Sequence, residues 1–227
     1  MTLDYMIRSY QPKDQEAVRN ICADTGFLGD PIDPIFSDRE IFADIFTNYY
    51  LEKEPEHSFI AEVDNQVVGY LMASLNKNPK SALILNSLSP GIRASYNQLT
   101  GKYQKSPQNK EFIDWLFFRV SKEIPKNPTA AMHAHFNVRK DYRNEGIGKS
   151  LMWTMFENLK SKAFERDIDK LYLEIFSDGQ KDEQYFKDIN FKLHDKKKST
   201  LFRNQFNKEI ELLCVWQYLD RLHPKTL

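Results

Sequence analysis

The feature that most restricts the fold of this chain is a change of hydrophobic period between Ala130 and Lys160. Up to Val138 the pattern alternates. Met132, Ala134, Phe136 and Val138 fall on one side, and His133, His135 and Asn137 on the other. A period of two predicts a strand with one apolar and one polar face. A polar stretch follows from Arg139 to Glu145, and then Gly146 and Gly148. Beyond it Ile147, Leu151, Met152, Met155, Phe156 and Leu159 recur at helical spacing. The segment therefore predicts a strand, a loop and a helix that begins in glycines.

A helix that starts this way has a definite chemistry. Its first N–H groups have no intrahelical acceptor and lie at the positive end of the helix dipole. Glycines leave that backbone open to close approach, which suits a phosphate and best a pyrophosphate. Three phosphate-loop patterns can be compared with it. The Walker pattern fails despite Gly148-Lys149-Ser150, because its first glycine would fall on Arg143. The dinucleotide fingerprint fails because Arg143 and Glu145 stand where it needs glycines. The third pattern fits. Arg143-Asn144-Glu145-Gly146-Ile147-Gly148 is R-x-x-G-x-G, and with Val138 and Tyr142 before it the stretch resembles the acyl-CoA loop of the GNAT superfamily of N-acetyltransferases.

The resemblance implies an α/β (α+β) GNAT-like fold, a mixed central sheet of about six to seven strands flanked by helices. It also implies acetyl-CoA as co-substrate, with its pantetheine arm in a gap between the fourth and fifth strands. The arm would bond the backbone at Phe136, Asn137 and Val138. The pyrophosphate would sit on the N–H groups of Arg143, Asn144, Glu145, Gly146, Ile147, Gly148, Lys149 and Ser150, with Arg143 adding positive charge. An amine acceptor then attacks the thioester directly. The reaction needs a proton acceptor for the ammonium, donors to the developing oxyanion and an acid for the leaving sulfur.

For the base, His135 is the first choice, since an imidazole titrates near neutrality and this one lies beside the pantetheine path. His133 and Glu174 are further candidates, and Asn137 could orient a water or an amide. For the acid, the family's F-Y-x-x-x-G-F is matched by Tyr185-Phe186-Lys187-Asp188-Ile189-Asn190-Phe191, which puts Phe186 in the tyrosine slot. Either Tyr185 serves by a shifted register or the thiolate leaves unassisted. Two other functions stay open: a non-catalytic acyl-CoA-binding module, or an acyltransferase with a different acyl donor or a hydroxyl acceptor.

The rest of the chain reads in the same architecture. A strand is expected from Tyr5 to Tyr10. A helix follows Pro12, with Ala17, Val18, Ile21 and Cys22 as its stripe, and a second helix is capped by Ser37 or Asp38 and closed at Glu54-Pro55. Strands at Ser58–Val63 and Val67–Leu75 are joined by a hairpin at Asp64-Asn65-Gln66. The stretch from about 76 to 129 is a helical insertion between strands 3 and 4, with a helix over Glu111–Ile124. It covers the acceptor side, makes a subunit contact such as a homodimer, or thickens the core. Lys170–Phe176 is the fifth strand and Asp182–Ile189 a short helix. A strand begins at Phe191–His194, Asp195–Lys198 is a charged turn, and Ile210–Tyr218 is the last strand. A single domain over 1–227 is expected.

Composition narrows the function classes. Lys plus Arg equals Asp plus Glu, 32 each in 227 residues, so no electrostatic attraction to nucleic acid or anionic membrane is expected. No apolar run is long enough to span a bilayer, and the start lacks the pattern of a secretory signal, so a cytoplasmic location is expected. Cys22 and Cys214 read as reduced core residues. His133 and His135 share a strand face, but two residues do not make a metal site and none is expected.

Overall fold

The computed structural model describes residues 3–76, 79–103 and 106–222. Seven strands form one mixed sheet in the order β1-β2-β3-β4-β5-β7-β6. The strands are β1 Met6–Ser9, β2 Ser58–Val63, β3 Gln66–Ser74, β4 Ala131–Val138, β5 Lys170–Ser177, β6 Lys192–Ser199 and β7 Ile210–Tyr218. All neighbouring pairs are antiparallel except β4–β5, which is parallel. The helices α1 Gln15–Asp24, α2 Arg39–Lys53 and α6 Ile147–Glu165 cover the sheet, and α7 Glu183–Asp188 leads into β6.

Because side chains alternate along a strand, each strand feeds two cores. On one face Leu71, Met132, Ala134, Leu171 and Val215 pack against Leu151, Met155 and Leu159 of α6, all essentially closed to water. Each Leu, Met or Val among them contributes roughly 1.5–3 kcal/mol on burial. On the other face Ile60, Tyr70 and Met72 meet Val18, Ile21 and Cys22 of α1 and Ile41, Phe42 and Tyr50 of α2. The second core is rich in aromatic rings and carries buried tyrosine hydroxyls; the first is mainly aliphatic, with Phe59, Phe156, Phe186 and Phe191 as its buried rings. Both cysteines are buried and reduced, as expected.

The insertion is more helical than its sequence suggests. It contains α3 (Pro79–Leu99) and α4 (Pro107–Asp114). The latter runs through a wide turn at Trp115–Arg119 into a last short piece, α5 (Val120–Glu123). Phe112, Ile113 and Trp115 enter the aromatic core. Asn109, fully buried, accepts from Ser37 N–H (2.9 Å) and donates to Ser37 Oγ (2.8 Å). Tyr103 Oη donates to Asp38 (2.6 Å), whose carboxylate also caps α2 at Ile41 N–H (3.1 Å). The insertion is thus bolted to the start of α2.

One expected element is overturned. Asp195–Lys198 is not a turn but the middle of β6, with Lys196 opposite Leu213 and Lys197 opposite Leu212. β6 is the outermost strand, where lysines face water and discourage pairing with another chain. Two of the three pair with β7 or the segment before it, Lys196 with Glu211 and Lys198 with Glu209. The true connection is the stretch 200–209, in which Phe202 folds back onto Phe27 and Phe176.

The end of β3 is pinned to the end of α2 by one carboxylate. Glu54 accepts from Tyr49 Oη (2.7 Å), Ser74 Oγ (2.6 Å), His57 Nδ1 (2.9 Å) and Leu75 N–H (2.9 Å). Burial alone would raise its pKa; the hydrogen bonds, led by His57, outweigh this and bring it down to about 2.

Candidate active site

The β4–β5 pair opens. Its ladder runs from Ala131 opposite Lys170 to His133 opposite Tyr172 and goes no further, although both strands continue to Val138 and Ser177. Parallel strands part here because β4 stays with β3 up to Val138 while β5 stays with β7 up to Ser177. The resulting gap faces backbone on both sides, and the start of α6 lies next to β4.

The glycine loop has the geometry that phosphate binding needs. Asn144 and Gly146 are both left-handed, with φ of +67° and +83°, and Glu145 stands between them. Gly146 caps α6, and the first helical bond is Ser150 N–H to Gly146 O (3.0 Å). The N–H groups of Ile147, Gly148 and Lys149 therefore have no acceptor within the helix. A Cβ on Gly148 would lie 3.4 Å from the Phe136 ring, so a side chain there would crowd the space between β4 and α6.

The side chains of the loop have other tasks. Arg143 Nε donates to Val138 O (3.0 Å) and Nη2 to Gly29 O (2.7 Å), tying the loop to the end of β4 and to the α1–α2 connection. Gly29 is left-handed (φ +98°), and a Cβ there would lie 2.9 Å from Arg143 Nη1. Ser150 Oγ shares a hydrogen bond with Tyr5 Oη (2.8 Å). Glu145 lines, with Asp4, Asp64 and Asp141, an acidic hollow of about 440 Å³, so only its backbone suits an anion. Sequence reasoning missed Lys181, on the loop after β5. Crowding by neighbouring atoms first, and the charge of Arg143 second, lower its pKa, although the side chain is open to water; it is a second cation within reach of the Arg143 charge.

At the root of the gap His133 Nδ1 is bonded to Tyr50 Oη of α2 (2.5 Å), and its ring lies 4.7 Å from that of Tyr172. One step up β4, His135 stacks edge-on against Tyr70 at 5.7 Å. Asn137 Nδ2 donates to Tyr70 Oη (2.9 Å) and reaches His135 Nε2 at 3.4 Å. The Nδ1 of His135 is closed to water and meets no protein partner among the described residues. Burial pushes the His135 pKa down to about 4, so the ring is neutral at physiological pH.

Glu174 is placed on β5 just beyond Tyr172, on the same sheet face, and its charge raises the pKa of Tyr50 and Tyr172 after burial has done so first. The structure brings His133, His135, Asn137 and Glu174 to the two lips of one opening. Tyr50 and Tyr70 were not singled out from sequence. The adjacent tyrosines at 49 and 50 were a signal, since a single apolar helix stripe does not require both.

Tyr185 is placed differently. It is 43 % exposed and packs edge-on against Phe186, which is 1 % exposed and part of the α6-side core. Its backbone N–H donates to Oδ1 of the capping Asp182 (2.9 Å). Among the described residues no group of three His, Cys, Asp or Glu could hold a metal ion. No described helix is long and apolar enough to cross a membrane.

Comparison with known proteins decides the architecture. The structure of SsHAT matches with a TM-score of 0.63 at 21% identity, over 95% of this chain and 98% of its own. An N-acetyltransferase from Staphylococcus aureus Mu50 matches at 0.54 and 13% identity, over 95% of this chain and 99% of that one. The chain has the GNAT fold. The GNAT-fold protein yncA of Salmonella typhimurium, solved with its cofactor acetyl-CoA, matches at 0.53 and 14% identity over 96% of this chain and 95% of its own.

In sequence, Protein O-GlcNAcase of Rattus norvegicus is 23% identical over 181 residues. The mouse protein is 23% identical over 186. The match takes in 76% of this chain, which spans about a fifth (19%) of the length of these curated relatives. No family model matches. The GNAT frame therefore rests on the opened β4–β5 pair, the glycine-capped α6 and the solved neighbours together.

Proposed function

We propose that this protein transfers an acetyl group from acetyl-CoA to an amine. The observation that carries the proposal is the opening of the parallel β4–β5 pair beyond His133 and Tyr172, beside a helix whose first N–H groups are uncommitted. Phe136, Asn137 and Val138 flank the opening and would hold the amide-bearing arm. The N–H groups from Asn144 to Lys149 would hold the pyrophosphate, with Lys181 and Arg143 supplying positive potential. Ser150 contributes to that loop by bracing it through Tyr5.

In the reaction the acceptor ammonium gives up a proton through water. The freed nitrogen attacks the thioester carbonyl, the C–N bond forms, the C–S bond breaks, and the thiolate takes up a proton. Glu174 and His135, on opposite lips, are the groups that receive the acceptor's proton. Burial has lowered the basicity of His135, so that ring takes the proton less readily than an ordinary imidazole would. Tyr185 is not needed as acid, since a thiol of ordinary pKa is a competent leaving group at neutral pH. A cytoplasmic single-domain enzyme is part of the same proposal.

The buried Phe186, standing where the family's acid does, favours a second reading: a module that binds acyl-CoA without turning it over. Calorimetric titration with acetyl-CoA and with CoA, followed by thiol release against a panel of amines, separates the two. Binding with release supports the transferase. Binding without release supports the module, and absence of binding removes both. In a transferase, Glu174→Gln should lower kcat by about 100-fold with little change in the KM for acetyl-CoA.

A further inference from the structure

The outer face of α3 carries an apolar stripe of unusual regularity. Leu85, Leu88, Ile92, Tyr96 and Leu99 are between 45 and 87 % exposed, and Phe118, on the turn that packs beside α3, is 71 % exposed. The inner face is accounted for. Gly91 lets Leu116 and Phe117 close in, since a Cβ there would sit 3.0 Å from Phe117, and Ala94 is fully buried. With about 200 Å² for a large side chain fully exposed, the outer stripe opens on the order of 800 Å² to water. A single subunit rarely leaves more than about 600 Å² in one patch, and a stable pair buries about 800 Å² on each side.

The spacing identifies what covers it. Counted from Ile92, the stripe falls at −7, −4, 0, +4 and +7, with Ile84 (44 % exposed) extending it to −8. From −7 to +7 it is the same in both directions. A two-fold axis through Ile92 would lay two such helices antiparallel, with Leu85 against the partner's Leu99, Leu88 against the partner's Tyr96, and Ile92 on itself. An isologous contact requires this kind of self-complementarity, in which i meets j and j meets i. Ser89 and Ser95, at −3 and +3, are small enough for the helices to approach closely. Charge does not oppose the pairing. Arg93, on the same helix, is already bonded to Asp44 of its own chain (2.7 Å).

We infer that α3 is a dimerisation helix that pairs antiparallel with the same helix of a second copy, about Ile92. This surface is separate from the β4–β5 opening, and the inference does not depend on the chemistry proposed there.

Sedimentation equilibrium of the full chain should give twice the 26.8 kDa chain mass. Ile92→Glu should raise the dissociation constant by about 100-fold or more, because it sets two like charges together on the axis. Its circular dichroism should match the parent, as the residue is on the surface. Cross-linking fixes the geometry, since Cys22 and Cys214 are buried. Under mild oxidation Ile92→Cys should link copy to copy and Leu85→Cys should not. Leu85→Cys mixed with Leu99→Cys should link across. A monomer at about 100 µM, where even a micromolar contact is filled, would overturn the inference. So would a dimer that survives Ile92→Glu, or a Leu85→Cys self-link, which marks a parallel pair. A monomer that instead floats with phosphatidylcholine vesicles would assign the stripe to lipid.

Discussion

Glu54, buried, and His135, half-buried with its Nδ1 closed to water, are polar groups on the α1–α2 side of the sheet, and their surroundings differ in kind. Glu54 is saturated. Four donors from α2, the turn at His57 and the end of β3 converge on two oxygens and hold its pKa near 2. His135 is left short. One nitrogen has only a long contact to Asn137, the other meets no partner among the described residues, and burial holds its pKa near 4. A polar group that the fold needs is supplied with partners from the chain. A structural knot thus holds the closed end of the sheet, and an under-supplied imidazole stands toward the open end.

The most damaging test of that contrast is Glu54→Ala, which strands four donors at once. It should cost about 3–5 kcal/mol in urea unfolding, and a loss under 1 kcal/mol would show that the knot is dispensable. The next concerns His135. Between pH 6.5 and about 4 the unfolded chain binds a proton there that the folded protein refuses. Stability therefore rises with pH across that window, by about 3 kcal/mol from this residue. His135→Phe should lose this part of the slope, so the wild-type-minus-variant difference should rise by about 3 kcal/mol across the window.

Smaller effects should come from the supporting residues. Tyr50→Phe removes the bond to His133 Nδ1 and should cost about 1–2 kcal/mol, with a fall in kcat larger than any change in KM. Arg143→Lys keeps the charge but cannot make both bonds of the guanidinium. It should lose about 1 kcal/mol and weaken acetyl-CoA binding up to about 10-fold by loosening the loop, as titration would report. The smallest change is expected at the edge of the sheet, where Lys197→Gln should leave stability within about 0.5 kcal/mol.

Much of this was legible in the residues themselves. The switch of period at Val138 placed β4, the loop and α6, because the apolar residues that meet between them alternate along β4 and recur at helical spacing along α6. Two things were not legible. α3 contains Pro90 and Gly91 in mid-helix, both poor helix formers, and only packing against Leu116, Phe117 and α2 makes the segment helical. The lysine run reads as a turn because an outer strand with one wet face tolerates the same residues as a loop. At the site, the histidines and Glu174 could be named from alternation, whereas the saturation of Glu54 and the shortage at His135 depend on residues distant in the chain. Tyr185 shows the converse. Its place in a motif suggested chemistry, and the fold turned it toward water.

The opened β4–β5 pair has one more consequence. A sheet normally keeps its raw margins at its two outer strands, where they can be blunted. Here a margin lies in the middle, bounded by the stretches 134–138 and 173–177. A molecule bearing amides can act there as an eighth strand, splicing the two halves of the sheet. In the free protein, amide protons along those stretches that point into the gap should exchange with solvent far faster than those shared by β3 and β4. Occupancy should slow them together and raise the melting temperature, so the guest becomes part of what holds its host in shape.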